Sequence, residues 1–202
     1  ENDISTPYTL AACMKHFSGY QITRTGKDRT PAFISEHELR EIHLPSFERA
    51  IKSGAKTIMI NSGLINSLPV HANKYLLTTL LREELGFEGV ILTDWEDINK
   101  LHDRDKVAAS RKEAVKMAIN AGIDMSMIPY DYEEFCDNLV ALVKEGAVSQ
   151  ERIDDAVTKI LRLKFDLNLL KKATSSPEEY PDCGNTKHEQ LAYNAAADGI
   201  TL

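Results

Sequence analysis

The apolar positions of this chain fall into a repeating block: an amphipathic stretch at helical spacing, a glycine, then a short apolar run. In the first block Leu39, Ile42, Ala50 and Ile51 mark the helical face. Ser35-Glu36-His37-Glu38 opens it as a capping box, the Ser and Glu side chains satisfying free N–H groups. Pro45 predicts a kink and Gly54 an end, after which Thr57-Ile58-Met59-Ile60-Asn61 reads as a strand. The second block places Leu76, Leu77, Leu80 and Leu81 on one face, stops at Gly86 and continues into the strand Val90-Ile91-Leu92. The third has Val107, Ala114, Val115, Ala118 and Ile119, a stop at Gly122 and a strand over 123–128. Upstream, Leu10-Ala11-Ala12-Cys13-Met14 predicts one more strand, delivering Lys15-His16-Phe17 at its end. Runs that are apolar throughout belong to strands buried on both faces, so the sheet is expected to be parallel and covered by helices.

Two further helical patterns follow, one through Phe135, Leu139, Leu142 and Val143, the other through Ile153, Val157 and Ile160. Gly146 is the stop between them and Ser149 the N-cap. Residues 173–187, with Ser175-Ser176-Pro177 and Pro181-Asp182-Cys183-Gly184-Asn185, read as a linker. A helix resumes over 188–198, and Gly199-Ile200-Thr201-Leu202 reads as the start of a strand. Four strands in βα order are half of a closed (β/α)₈ barrel, which typically takes ~250 residues. The expected fold is therefore α/β, a parallel (β/α)₈ TIM-barrel type present as a partial barrel of about four βα units.

Composition narrows the partners. With 202 residues, 43% hydrophobic and 27% charged, the chain can bury a substantial core. The net charge of -7 and the lack of a basic stripe argue against nucleic acid and anionic membrane surfaces. No apolar run has bilayer-spanning length. Cys13, Cys136 and Cys183 form no CxxC pair, so neither a zinc site nor a disulfide is read. The chain opens on Glu1 without an initiator Met, and its natural start is expected upstream.

The chemistry gathers at the end of the strand 90–92, in Thr93-Asp94-Trp95-Glu96-Asp97. Loops past strand C-termini collect the functional groups of α/β folds. A carboxylate there can attack an electrophilic carbon, and the adjacent indole offers a flat apolar face to a sugar ring. Each residue also has a plainer role open to it. Asp94 can be a helix N-cap, Trp95 core, Glu96 and Asp97 solvated or capping residues of a first turn. Lys15 and His16 are neighbours on a strand and point to opposite faces unless the strand bulges. Lys15 in an apolar strand calls for a partner charge. His71 is open as a cap or pocket wall, and Gly26-Lys27-Asp28-Arg29 reads as an exposed polar turn.

The run from Leu80 to Asp97 resembles the signature of glycoside hydrolase family 3, supplying Leu80, Leu81, Arg82, Glu84, Gly89, Val90, Ile91, Leu92, Thr93 and Asp94. Lys15-His16-Phe17, Asn120-Ala121-Gly122-Ile123-Asp124-Met125, Arg152-Ile153-Asp154-Asp155-Ala156-Val157 and Ala195-Ala196-Ala197-Asp198-Gly199-Ile200-Thr201-Leu202 are similar to further family words, in the right order. The resemblance implies a retaining exo-acting β-glycosidase, a β-glucosidase, that takes a β-glucoside or oligosaccharide. A β-xylosidase of the same family and a non-catalytic carbohydrate-binding or structural piece are the alternatives. It implies that Asp94 is the nucleophile at the end of the seventh barrel strand, that Lys15 and His16 bind sugar hydroxyls, and that Trp95 packs on the sugar's CH face. No metal or other cofactor is implied, since both steps run on carboxylates.

By the same resemblance residues 1–172 are the C-terminal half of the catalytic barrel, 173–187 an interdomain linker and 188–202 the start of a second α/β sandwich domain. The missing N-terminal barrel half and C-terminal domain become expected partners. The general acid/base is expected beyond Leu202, and the isolated chain is expected to be inactive. Periplasmic or secreted location follows from family habit alone. Three departures stand out: Ser62 where many relatives have Tyr, Asn66-Ser67 where Asn-Gly is usual, and Ser18-Gly19-Tyr20 after Lys-His-Phe. The last sets aside the branch acting on N-acetylglucosaminides.

Overall fold

Parallel strands form the centre of the computed structural model, which describes residues 4–6, 9–171 and 176–201. The strands are β1 (Cys13–Phe17), β2 (Thr57–Ile60), β3 (Leu64–Ile65), β4 (Leu68–Pro69) and β5 (Val90–Leu92). β1, β2 and β5 pair in that order, all parallel. A single parallel bridge between Leu92 and Met125 extends the sheet past β5. Ile58, Ile60 and Ile91 are wholly buried, as expected of strands with helices packed on them.

Two strand expectations are corrected. The first strand spans 13–17 rather than 10–14, because pairing with β2 begins at Cys13 opposite Thr57, while Leu10 is 89% exposed. The strand over 123–128 is reduced to its bridge. There side chains enter the ladder: Asp124 Oδ2 accepts the Ile91 N–H at 2.9 Å, and Thr93 Oγ1 accepts that of Met127 at 2.8 Å. Side-chain acceptors taking ladder donors prevent a regular strand from forming.

The bulge that would bring neighbouring strand residues round is present. Met14 pairs with Ile58 and Phe17 with Ile60, so β1 spends one residue more than β2 over this stretch. The Lys15–His16 and Phe17–Ser18 peptides are cis. Phe17 is buried with its ring edge-on to Phe47, centroids 5.1 Å apart. β3 and β4 form a hairpin whose two turn residues, Asn66 and Ser67, both take left-handed backbone (φ 50° and 70°). The Asn66 carboxamide ties the turn to Ile34, accepting its N–H at 3.0 Å and donating to its carbonyl at 2.8 Å.

The helices follow their predicted faces in part: the leucines of 76–81 are buried, whereas Ile42, Val107 and Val157, expected on apolar faces, are exposed, Val107 because it falls in a loop between helices. α1 (Glu36–Glu38) is capped by Ser35, whose Oγ accepts the Glu38 N–H at 3.1 Å, and runs on into a wide π turn over Leu39–His43. Pro45 then starts α2 (Pro45–Lys52) afresh instead of kinking one helix, as a residue without an N–H suits a first turn. A second π-type helix, Tyr75–Glu84, buries Leu76, Leu77, Leu80 and Leu81. α3 (Asp97–Asp103), α4 (Arg111–Ala121), α5 (Tyr132–Lys144) and α6 (Gln150–Asp166) complete the layer. Ser149 caps α6 by accepting the Arg152 N–H at 3.2 Å, and Gly146 (φ 71°) follows α5.

Beneath β5 lies a buried charge hub. The Asp124 carboxylate is fully buried and accepts from Arg82, from Arg152 Nη2 at 2.7 Å and from the Ile91 amide. Arg82 also donates to the Phe87 carbonyl at 2.7 Å and to that of Gly89 at 2.5 Å, fixing the turn into β5. Arg152 donates to the Ile123 carbonyl at 2.7 Å. Three motif residues far apart in the chain thus meet in one network.

The chain divides into a unit over Glu1–Leu167 and a smaller one over Asn168–Leu202. Residue 172 and positions 173–175 of the expected linker lie outside the described residues, as does Leu202. In the smaller unit α7 (Thr186–Asp198) is capped by the Asn185 side chain. Gly199-Ile200-Thr201 forms no strand; the Gly199 N–H still donates back to the Ala195 carbonyl, prolonging the helix. Among the described residues no helix is long and apolar enough to cross a membrane.

Candidate active site

Asp94 sits just past the C-terminal end of β5 and is 9% exposed. The Trp95 N–H donates to its Oδ1 at 2.6 Å. Its other oxygen, Oδ2, lies 3.6 Å from His16 Nε2 and 3.9 Å from Arg29 Nη2. One oxygen is held by backbone while the other faces an imidazole and a cation. The plain capping role is not taken up: α3 starts at Asp97 with no side-chain cap, and Glu96 precedes it with left-handed backbone (φ 56°).

His16 arrives from the bulged end of β1. Burial lowers its pKa below the ordinary histidine value, against the pull of Asp94, so a neutral ring faces the carboxylate at neutral pH. Its ring stacks on Tyr20 with centroids 4.4 Å apart, and the Tyr20 hydroxyl donates to Asp28. That hydrogen bond to Asp28, followed by burial, raises the Tyr20 pKa. Trp95 is 45% exposed rather than core, its indole edge-on to Tyr130 with centroids 6.0 Å apart. An exposed aromatic face therefore adjoins the buried carboxylate.

Lys15 is not brought to Asp94. It stands exposed on β1, an edge strand among the described residues, and makes no hydrogen bond or ion pair there. The expected partner charge is not found among the described residues. It borders a cleft of about 260 Å³ shared with His16, Tyr20, His43 and Phe47.

Two groups at the site were read differently from sequence. The turn is exposed at Gly26, Lys27 and Asp28 as expected, but Arg29, with left-handed backbone (φ 60°), brings its guanidinium to 3.9 Å from Asp94, and its Nε is buried with no hydrogen-bond partner. The loop is braced by Thr25 and Thr30, whose hydroxyls lie 2.6 Å apart, and by Thr30 Oγ1 donating to the Lys27 carbonyl at 2.8 Å. Asp97 was expected in solvent or as a cap but is 1% exposed. The left-handed turn at Glu96 points it inward, where Ser62 Oγ donates to Oδ1 at 2.8 Å and Lys100 Nζ lies 3.1 Å away. The guanidinium of Arg104 closes the group, 3.8 Å from the same oxygen and donating to the Ser62 carbonyl at 2.7 Å. Ser62, at the position where relatives were expected to carry Tyr, thus bonds to Asp97.

His71, left open by the sequence, lies buried on the 3₁₀ turn Val70–Ala72. Its Nε2 accepts the Asp94 N–H at 3.4 Å and lies 3.7 Å from Asp97 Oδ2. Burial pulls its pKa down to about 4, so the ring is neutral through the physiological range. Among the described residues no group of His, Cys, Asp or Glu side chains is arranged to hold a metal ion.

Comparison with known proteins gives this geometry a context. The glycosyl hydrolase family 3 N-terminal domain matches residues 6–163. A lysosomal β-glucosidase of Dictyostelium discoideum is 44% identical over 100% of this chain and 25% of its own length. A β-xylosidase of Formosa agariphila is 32% identical over 96% of this chain and 28% of its own. Among solved structures, a β-glucosidase from Listeria innocua superposes with TM-score 0.79 at 31% identity, over 85% of this chain and 23% of that one. One from Erythrobacter marinus reaches 0.84 at 31% identity, over 93% and 25%. The Listeria enzyme has been solved with glucose and, as a mutant, with laminaribiose. The chain spans about a quarter of the length of the curated relatives it matches.

Proposed function

The chain belongs to the glycosyl hydrolase family 3 N-terminal domain family, and from that premise we propose that the protein carrying it is a retaining exo-acting β-glucosidase with Asp94 as its nucleophile. The observation that carries this reading is the asymmetric setting of the Asp94 carboxylate: Oδ1 held by the Trp95 amide, Oδ2 facing His16 and Arg29. A fixed carboxylate with one oxygen presented at a strand mouth suits attack on an anomeric carbon. On this reading the described strands are part of a (β/α)₈ barrel, and the site lies at its C-terminal face.

In the first step Oδ2 bonds to C1 of the terminal sugar while the C1–O bond to the leaving group breaks. The departing oxygen takes a proton from an acid lying outside this chain. In the second step water attacks C1, the same external group removes its proton, and the C1–Oδ2 bond breaks to restore the carboxylate. Arg29 places positive charge beside the Asp94 carboxylate, 3.9 Å from Oδ2. Neutral His16 can donate to or accept from a sugar hydroxyl, and the exposed face of Trp95 can lie against the ring's CH groups. Lys15, lining the same cleft as His16, is the other proposed ligand of a sugar hydroxyl.

The test is Asp94→Gly in the full natural protein. Hydrolysis of an aryl β-glucoside should disappear, and added azide should restore turnover by forming the α-glucosyl azide. Undiminished hydrolysis by the variant overturns the assignment. A β-xylosidase is the second reading, favoured by the Formosa relative; the ratio of kcat/KM on aryl β-glucoside and aryl β-xyloside decides between them.

A further inference from the structure

Directly behind the proposed nucleophile lies a pair of buried titratable side chains, His71 and Asp97, to which the reaction above gives no part. We propose that His71 is a positioning residue: as a hydrogen-bond acceptor it holds the backbone of the Asp94 loop, and as a donor it lets that loop go and turns to Asp97. The proposal rests on the reading of Asp94 as nucleophile.

The argument is geometric. One imidazole nitrogen, Nε2, lies 3.4 Å from the Asp94 nitrogen and 3.7 Å from Asp97 Oδ2. The first of these is a donor and the second an acceptor, and a ring nitrogen serves only one kind at a time. With the proton on Nδ1, Nε2 accepts the Asp94 N–H. Asp97 Oδ2 is then left buried without a hydrogen-bond partner. Such an orphaned acceptor is costly and needs a reason. When His71 gains a proton, Nε2–H opposes the Asp94 N–H and meets a waiting carboxylate oxygen. One proton thus transfers the hydrogen bond from the catalytic loop to α3.

The surrounding charges leave His71 free to act this way. Asp97, Asp94, Arg104 and Asp105 act on it, in that order. Lys100 and Arg104 both face Asp97 Oδ1 rather than Oδ2, and Arg104 is further engaged by Asp105 at 2.7 Å. α4 and the helix Tyr75–Glu84 flank the turn, but their charged groups pair elsewhere or, for Glu83, stand exposed. Arg111 bonds to Asp103, Asp131 and Glu134, Lys112 to Glu145, and Lys116 to Glu113. Arg82 goes to Asp124, and Glu84 to Arg40. Burial holds the ring neutral until the solution is acidic, its pKa lowered to about 4. Losing the anchor shifts the Asp94 amide and, with it, the carboxylate pinned to the next residue's N–H. A displacement near 1 Å can cost roughly a hundredfold in rate.

Two substitutions in the full natural protein test this, with kcat and KM for an aryl β-glucoside measured from pH 4 to 8. His71→Leu fills the space without an acceptor and should lower kcat about 10- to 100-fold with KM nearly unchanged. His71→Gln offers an amide oxygen that stays an acceptor at every pH. It should recover most of the rate lost in H71L, and its kcat should fall less steeply than that of the parent toward pH 4. H71L at parental speed, H71Q as slow as H71L, or an acid limb unaltered in H71Q would overturn the proposal. Should H71L fail to fold, the acid limb of H71Q decides alone. Covalent labelling of the unsubstituted protein keeps the two readings apart. Absence of a glycosyl group on Asp94 counts against the nucleophile, while a labelled Asp94 with indifferent H71 variants counts against His71.

Discussion

Asp124→Ala should be the most damaging single change in the sheet, although Asp124 does no chemistry. Its carboxylate is fully buried and accepts from Arg82, from Arg152 at 2.7 Å and from the Ile91 amide at 2.9 Å. Removal leaves two largely buried guanidiniums facing each other with no counter-charge, together with an orphaned strand N–H. Breaking a buried pair by deleting one partner costs about 3–5 kcal/mol. Both arginines keep a fringe of solvent contact, so the orphaned amide is counted within that range rather than added to it. At roughly 2–4 °C per kcal/mol for a unit of this size, the melting midpoint should fall by roughly 6–20 °C. A local assay works in a chain of any length: hydrogen exchange of the peptide covering 89–94, read by mass spectrometry. Protection of the Ile91 amide should drop by about a hundredfold to a few thousandfold, at tenfold per 1.4 kcal/mol. Asp124→Asn, which keeps one acceptor, should lose less. A D124A protein within about 1 kcal/mol of the parent, with Ile91 still protected, would refute the charge-hub argument.

Two other outcomes follow from the same structure. Gly89→Ala places a Cβ against the Lys56 carbonyl, which accepts the Val90 N–H at 2.9 Å; prising β5 from β2 should cost about 1–3 kcal/mol, seen in the melting midpoint, and an unchanged midpoint contradicts it. Acid should destabilise the fold through His71, because the unfolded chain binds its proton near pH 6.5 and the folded chain only near pH 4. Stability is full above 6.5 and falls toward pH 4 by roughly 3 kcal/mol, and H71Q should flatten that part of the curve in urea titrations.

What the sequence made legible was local and apolar. Leu76, Leu77, Leu80 and Leu81 form one stripe, and all four are buried, because a helical face needs only its own spacing to be seen. Ser35 and Ser149 cap the helices they precede for the same reason. Charged residues were harder, since Asp97 and Arg29 look solvated until distant groups are placed around them. Asp97 faces Lys100 on its own helix and Arg104 just past its end, yet its shortest hydrogen bond comes from Ser62, 35 residues earlier. The Arg82–Asp124–Arg152 hub joins positions separated by 42 and 28 residues, which periodicity cannot register. β1 was displaced by three residues because its limits depend on where β2 lies alongside, not on its own hydrophobicity. Asp94 itself was legible as a candidate from its strand-end position, whereas the orientation of its two oxygens needed the Trp95 amide, His16 and Arg29 in place.

The central claim is that the Asp94 carboxylate bonds to sugar carbon, and covalent trapping measures that bond. A 2-deoxy-2-fluoro-β-glucoside with an activated leaving group needs little acid help to form the adduct and hydrolyses slowly from it. Incubated with the full natural protein and digested, it should add one fluoroglucosyl mass to the peptide containing Asp94, and to none in Asp94→Ala. An adduct on another carboxylate, or an unlabelled protein that still turns over β-glucosides, would contradict the account.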